Sequence, residues 1–262
     1  MLTQKELTLS ERLDLRRAKR FLENPGLAMR IANTLGTPIE KLFAALPSSA
    51  SEAIQGATTK ALNAAVRAAV SGMDETPRTA TDWMHTAAAA ASGAVGGAFG
   101  LPALAVELPI STVIMLRSIA DIARSEGHSV RALDVQLSCV EVFALGGPSR
   151  RDDAVESAYF AARMAMAKAV TEAAQHIAER GLAAEAAPPL VRFISKLGTR
   201  FSIPVTEKIM AQSVPIIGAA GGALINVVFI DHFQDLARGH FIVRRLETKY
   251  GAAMVRTAYL QV

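Results

Sequence analysis

Asp231, His232, Asp235 and His240 form the densest group of side chains able to hold a metal or move protons. On a helix, His232 and Asp235 share a face at i and i+3. Asp231 and Asp235 are neighbours at i and i+4, and His240 lies two turns beyond His232. Glu172 and His176, again at i and i+4, could bring a second helix to such a centre. Metal ligation needs three or four convergent ligands, usually from more than one element. The paired Glu-x-x-His motifs of di-iron bundles do not occur. The plainer reading is a helix start with solvated His and Asp side chains, and no metal or other cofactor is expected.

Glu107 is the next candidate. It stands just before Pro109, where the cap-and-proline pattern predicts a helix start. A carboxylate there suits the helix dipole and the free N–H groups. The sharper alternative is a functional acid in apolar surroundings, with its pKa raised if buried. Arg117, Asp121 and Arg124 form one narrow polar stripe on an apolar helix, with Asp121 and Arg124 spaced as an ion pair. Asp134, Ser138 and Glu141 form a similar stripe on the next. Such stripes face solvent, or they meet inside as a buried polar site. Cys139 sits in an apolar run with no basic neighbour in sequence, which fits a buried thiol rather than a nucleophile. The chain lacks Gly-x-Ser-x-Gly, His-Glu-x-x-His, a dinucleotide fingerprint and a P-loop. A hydrolase built on Glu107, Asp121, His232 and Asp235 requires those four side chains to converge on one point.

The elements that must position these residues read as helices. The chain has 262 residues and is 51% hydrophobic but only 5% aromatic. Long alanine runs supply much of that apolar fraction, and alanine favours helix over sheet. Thr8 and Glu11 have capping-box spacing, and a helix is predicted to about Glu23, stopped by Asn24-Pro25-Gly26. Further helices are predicted from Leu27 to about Leu46, from Ser51 to about Val70, and from Thr76-Pro77 through Trp83. After Pro109 a helix is predicted to Ser125, ended by Gly127, and then one from Val130 to Leu145. A long one spans Ala154 to Arg180, stopped by Gly181, and "LVRFISKLG" makes another. A charged helix is predicted over "QDLARGHFIVRRLETKYG". "GGPSRRDD" is an exposed break, with 147–153 as a flexible loop between halves.

Two stretches lack formal charge for about one membrane thickness. They are Thr86 to Val106 and Ala211 to Ile230. The second carries nine strongly apolar residues, worth roughly −3 to −5 kcal/mol on the insertion scale. Pro215, Asn226 and its glycines work against that. The first reaches only about −2 kcal/mol, with Pro102 among its residues, and should not insert alone. Gly93, Gly96, Gly97 and Gly100 fall on or near one helical face, as do Gly218, Gly221 and Gly222. Small residues at that spacing let helix backbones approach closely. They could pack a soluble core, or present an apolar surface to a membrane.

The net charge is +4, and the basic residues are spread out apart from Arg16, Arg17, Lys19 and Arg20. Nucleic-acid binding wants a denser patch interleaved with aromatics, and is not expected. A weak positive excess suits an anionic membrane surface. The N-terminus has no apolar core or cleavage site of a signal peptide, and one cysteine allows no internal disulfide, so a cytoplasmic location is expected.

The blocks "GAVGGAFGLPALAVELPISTVIMLRSIADIARSEG", "CVEVFALGG" and "PIIGAAGGALINVVFIDHFQDLARGHFIVRRLETKYG" occur in that order. Over Met84 to Gly251 the chain resembles the EcsC protein family; the first 80 residues carry no recognised likeness. The first block resembles, more loosely, a helical domain attached to some bacterial Era-like GTPases, whose activity needs a P-loop this chain lacks. The EcsC family takes its name from a protein encoded beside the two components of a bacterial ABC transporter. The resemblance implies a bacterial, mostly helical, membrane-associated protein and supplies no catalytic residues.

The expectation is therefore an all-α multi-helix bundle, with two glycine-rich apolar helices or hairpins packed at its centre and residues 1–80 joined to 81–262. Its expected role is non-enzymatic. It would bind lipid or a membrane protein partner, a transporter being one option, at the cytoplasmic face. Arg117, Arg124, Arg238, Arg244 and Arg245 would contact phosphate headgroups. The alternatives are the hydrolase above and a soluble helical scaffold.

Overall fold

The first helix begins as its sequence predicts. Thr8 Oγ1 accepts from the Glu11 backbone N–H at 3.3 Å, and Glu11 Oε2 accepts from the Thr8 N–H at 2.9 Å. This reciprocal pair satisfies two of the donors that any helix start leaves orphaned. A computed structural model describes residues 6–23, 26–35, 50–72, 101–145, 157–182, 187–212 and 218–262. Those residues form nine helices and no strand. They are α1 (Leu9–Leu22), α2 (Leu27–Leu35), α3 (Ala50–Val70), α4 (Leu101–Ser125), α5 (Leu133–Leu145), α6 (Ala158–Arg180), α7 (Pro188–Gln212), α8 (Gly218–Tyr250) and α9 (Ala252–Gln261). Gly93, Gly96, Gly97, Gly100, Pro215 and the loop 147–153 lie outside the described residues.

Helix α8 is the axis, about 50 Å long, and it touches α1, α2, α4, α5, α7 and α9. Phe143 of α5, Phe201 of α7 and Phe233 of α8 join three helices, with ring centroids 4.9 to 5.6 Å apart. These offset and edge contacts are the arrangements the ring quadrupole favours. A second apolar cluster, around Leu15, Tyr159, Phe160, Leu246 and Tyr259, ties α1, α6 and α9 to the far end of α8. The N-terminal helices are packed onto the rest: Arg30 pairs with Asp235 at 2.8 Å, Arg245 with Asp14 at 2.9 Å and Lys249 with Glu11 at 2.7 Å.

Two expected helix boundaries are corrected and one further helix is added. Helix α4 starts at Leu101 and runs through Pro109, so Glu107 lies inside it and is no cap. Helix α7 passes through Gly198 and Pro204 to Gln212, where the sequence pattern stops at Gly198. Proline removes one intrahelical bond, but Pro204 is buried, and burial along a long apolar face outweighs one lost bond. Finally, a ninth helix follows Gly251, whose φ of 85° breaks the chain away from α8.

Glu207 illustrates how one helix completes another. Its Oε2 accepts from the Ala28 N–H, in the first turn of α2, at 3.1 Å. Burial raises its pKa from 4.5 to about 7, against the lowering effect of that bond. The folded state therefore binds more protons than the unfolded one between these values. Glu207's contribution is present below about 4.5 and is lost as pH rises through about 7. We predict that the urea midpoint of Glu207→Gln falls less across this window than that of the wild type. Parallel curves would show that Glu207 is ionised throughout.

Candidate functional site

Helices α4 and α8 carry the later parts of the two uncharged stretches, residues 101–106 and 218–230. They run parallel, because their contacts advance together: Asn226 donates to Glu107 at 3.2 Å, Gln234 to Ser118 at 2.9 Å, and Arg245 to Glu126 at 3.1 Å. Parallel packing brings Leu101 and Gly218, the two helix starts, to the same end of the bundle. Val106 and Ile110, one turn apart on α4, are 65% and 50% exposed there, and Leu224 of α8 is 40% exposed. Gly222, by contrast, is buried.

Beneath this apolar end sits a closed ion pair. Lys208 of α7 is fully buried, and its Nζ lies 2.7 Å from Glu107 Oε1. Burial pushes the Lys208 ammonium below its usual pKa, while Glu107 opposes that shift. The ammonium also lies 5.0 Å from the centre of the Phe229 ring, a cation–π contact. Glu107, Lys208 and Asn226 thus fasten α4, α7 and α8 together where the apolar surface begins.

A second polar network crosses the opposite half. Both ring nitrogens of His240 are occupied, Nε2 by Ser138 Oγ at 2.8 Å and Nδ1 by Tyr159 Oη at 3.0 Å. Arg163 donates to Tyr159 Oη at 3.3 Å and holds Glu247 bidentately at 2.8 and 2.9 Å. Arg244 donates to Ser138 Oγ at 2.7 Å and to Asp134 at 3.0 Å. Burial, helped by Arg163 and Arg244, holds His240 well below its ordinary pKa, so the ring is neutral. Ser138 and His240 have the contact of a nucleophile and its base, but both are closed off, at 1% and 0% exposure. Without access for a substrate, the contact serves to pin α5, α6 and α8 together.

The residues proposed for a hydrolase do not share a point. Glu107 and Asp121 lie about 21 Å apart along one continuous helix. Glu107 pairs with Lys208, Asp121 with Arg124, and Asp235 with Arg30 and Arg238. His232 is buried, its ring packed edge-on against Phe233 at 5.3 Å. Among the described residues no three His, Cys, Asp or Glu side chains gather as metal ligands. Glu172 instead pairs with Arg192 at 3.1 Å on the surface. Cys139 is fully buried, and burial pushes its thiol up to about 12, in the range of an inert thiol.

The arginines named for headgroups lie elsewhere too. Arg117 is exposed. Arg124, Arg238, Arg244 and Arg245 sit about 20 Å or more along their helices from Val106, Ile110 and Leu224. All four are in ion pairs. The polar stripe of Asp134 and Ser138 meets Arg244 and His240 of α8, not the stripe on α4. Sequence reasoning missed Lys208, Tyr159 and Arg163, because Glu107, His240 and Glu247, the partners that tie them to other helices, lie 81 to 101 positions away.

The model of the EcsC protein family matches residues 11–246. The chain belongs to that family. The match reaches well upstream of Met84, so α1, α2 and α3 belong to the EcsC region together with the later helices. The packing of α1 and α2 on α8 gives that extent a physical basis. No curated protein and no solved structure matches this EcsC chain.

Proposed function

We propose that this EcsC protein is a non-enzymatic, peripheral membrane protein that binds lipid or a membrane protein partner at the cytoplasmic face. It docks through the end of the bundle where α4 and α8 begin. The observation that carries this reading is the parallel pairing of α4 and α8. It brings the starts of these two helices, which carry the later parts of the two uncharged stretches, to one end, where Val106, Ile110 and Leu224 are exposed. Exposed apolar residues gathered at one place suit a membrane or partner surface. Among the described residues no helix is long and apolar enough to cross a membrane. The earlier idea of arginine-led headgroup contact is weakened, since four of the five arginines lie far from this end.

Fractionation of native-level protein tests the reading. The protein should sediment with membranes, resist a high-salt wash and be released by alkaline carbonate. Val106→Glu combined with Ile110→Glu changes two exposed positions and should move the protein to the soluble fraction with its thermal melt unaltered. Recovery of the wild type only in the soluble fraction would overturn the proposal and favour a scaffold role.

A further inference from the structure

Helix α1 divides its charges between two faces. Its acids turn toward the bundle: Glu11 accepts from Lys249 and Tyr250, each at 2.7 Å, and Asp14 from Arg245 at 2.9 Å. Leu15 and Ala18 are buried on that side. The opposite face carries Leu9, Leu13, Arg16 and Arg20, at i, i+4, i+7 and i+11. All four are exposed, Leu9 at 77% and Leu13 at 54%. Among the described residues Arg16 and Arg20 have no hydrogen bond or ion pair. Arg17 beside them lies over the Phe21 ring, 5.4 Å from its centre. These three arginines line a shallow depression of about 600 Å³, in which Glu23 is the one acidic side chain. Lys19 also lines it but is taken by the Val262 carbonyl oxygen at 2.8 Å. Folding accounts for the inward face alone. The helix dipole favours Arg20 in the last turn, but Arg16 stands a turn earlier. One exposed leucine is ordinary; two in line with two unpaired arginines make a patterned face.

We propose that the outward face of α1 lies on an anionic bilayer. Leu9 and Leu13 enter the acyl boundary, and Arg16, Arg17 and Arg20 reach lipid phosphates. A helix lying in the interfacial plane takes this mixture of leucine and arginine, because the long arginine stems keep their charge at headgroup level. The capping box at Thr8 has already formed the helix, so docking pays no cost of folding it. A bilayer fits better than an acidic protein groove. Arg16 and Arg20 are held by no neighbour, and mobile lipid phosphates arrange themselves around such side chains, whereas fixed carboxylates require them to be ordered first. This inference deepens the membrane reading by naming the lipid class, and it rests on that reading only for the kind of surface. Helix α1 packs on α8 at Gly239, Arg245 and Lys249, away from the end where α4 and α8 begin.

The test is sedimentation of the full chain with vesicles of phosphatidylcholine, with and without phosphatidylglycerol. The anionic vesicles should be bound at least about tenfold more tightly. Arg16→Ala with Arg20→Ala should weaken that binding by about 25-fold, about fivefold for each charge. Leu9→Gln with Leu13→Gln should weaken it by about tenfold. All four positions are exposed, so the thermal melts should match the wild type. Lys60→Ala with Arg180→Ala removes the same charge from exposed positions elsewhere and should change binding by less than about twofold. An equal loss in that control would overturn the proposal, since net charge alone would then drive binding. Equal binding of the two vesicle types would overturn it as well. Unchanged binding by the leucine pair would also overturn it. Val106→Glu with Ile110→Glu separates the two membrane surfaces. Loss of binding there, with the α1 variants unaffected, would overturn this proposal and keep the apolar end as the docking site. The reverse pattern would support α1 and remove the apolar end. No binding to either vesicle would overturn both, and binding of polyglutamate instead would mark an acidic protein partner.

Discussion

Lys208→Met is expected to lower stability by about 3–5 kcal/mol, measured by chemical denaturation near neutral pH. The substitution keeps the chain length and removes only the charge. It leaves Glu107, 6% exposed, without the ammonium 2.7 Å away. Asn226 remains as a donor at 3.2 Å, but a neutral amide does not balance a buried carboxylate. Adding Glu107→Gln should restore most of the loss, because the pair is then neutral and Asn226 keeps an acceptor. A loss under about 1 kcal/mol for Lys208→Met would mean that water reaches Glu107 and that the apolar end is not closed beneath its surface.

Gly239→Ala is expected to destabilise although alanine is the better helix former by about 1 kcal/mol. Gly239 lies where α8 crosses α1. A Cβ there would stand 2.6 Å from Leu22 Cγ and 2.9 Å from the Ala18 carbonyl oxygen. Leu22 can turn away, but the carbonyl belongs to the α1 backbone and moves only with the helix. Overpacking of this kind costs about 1–3 kcal/mol, and Gly239→Leu should cost more and release α1. Leu22→Ala in the Gly239→Ala background should recover part of the loss and leave the clash with Ala18. Full recovery would show that α1 shifts freely, and no loss at all would mean that the two helices are further apart than described. Protection of α1 amides from hydrogen exchange reads the same event directly.

Some features were legible because their causes are local. Thr8 and Glu11 announced the start of α1 through a bond pattern complete within four residues. Gly127 and Gly181 marked helix ends because a positive φ is cheap only for glycine, and both have one, at 85° and 63°. Glu107 was misread for the same reason. Its placement before Pro109 has a local meaning as a cap, and that meaning lost to Lys208, 101 positions away. The glycines singled out by spacing were those in the apolar segments. The glycine shown to permit close helix approach is Gly239, whose neighbour α1 comes from the other end of the chain.

By itself the sequence determined the all-α class, through its alanine-rich, strand-free pattern, and the EcsC membership, through ordered blocks that a family model matches over residues 11–246. It also determined that the chain holds two uncharged stretches, since charge and hydropathy are properties of the residues alone. Only the tertiary structure decided that α4 and α8 run parallel, that Lys208 neutralises Glu107, that Ser138 and His240 are shut away, and that the acids of α1 turn inward while Arg16 and Arg20 face outward. Each of these depends on which distant helix face meets which. That choice is made by burial summed over the whole core, and no window of the sequence contains it.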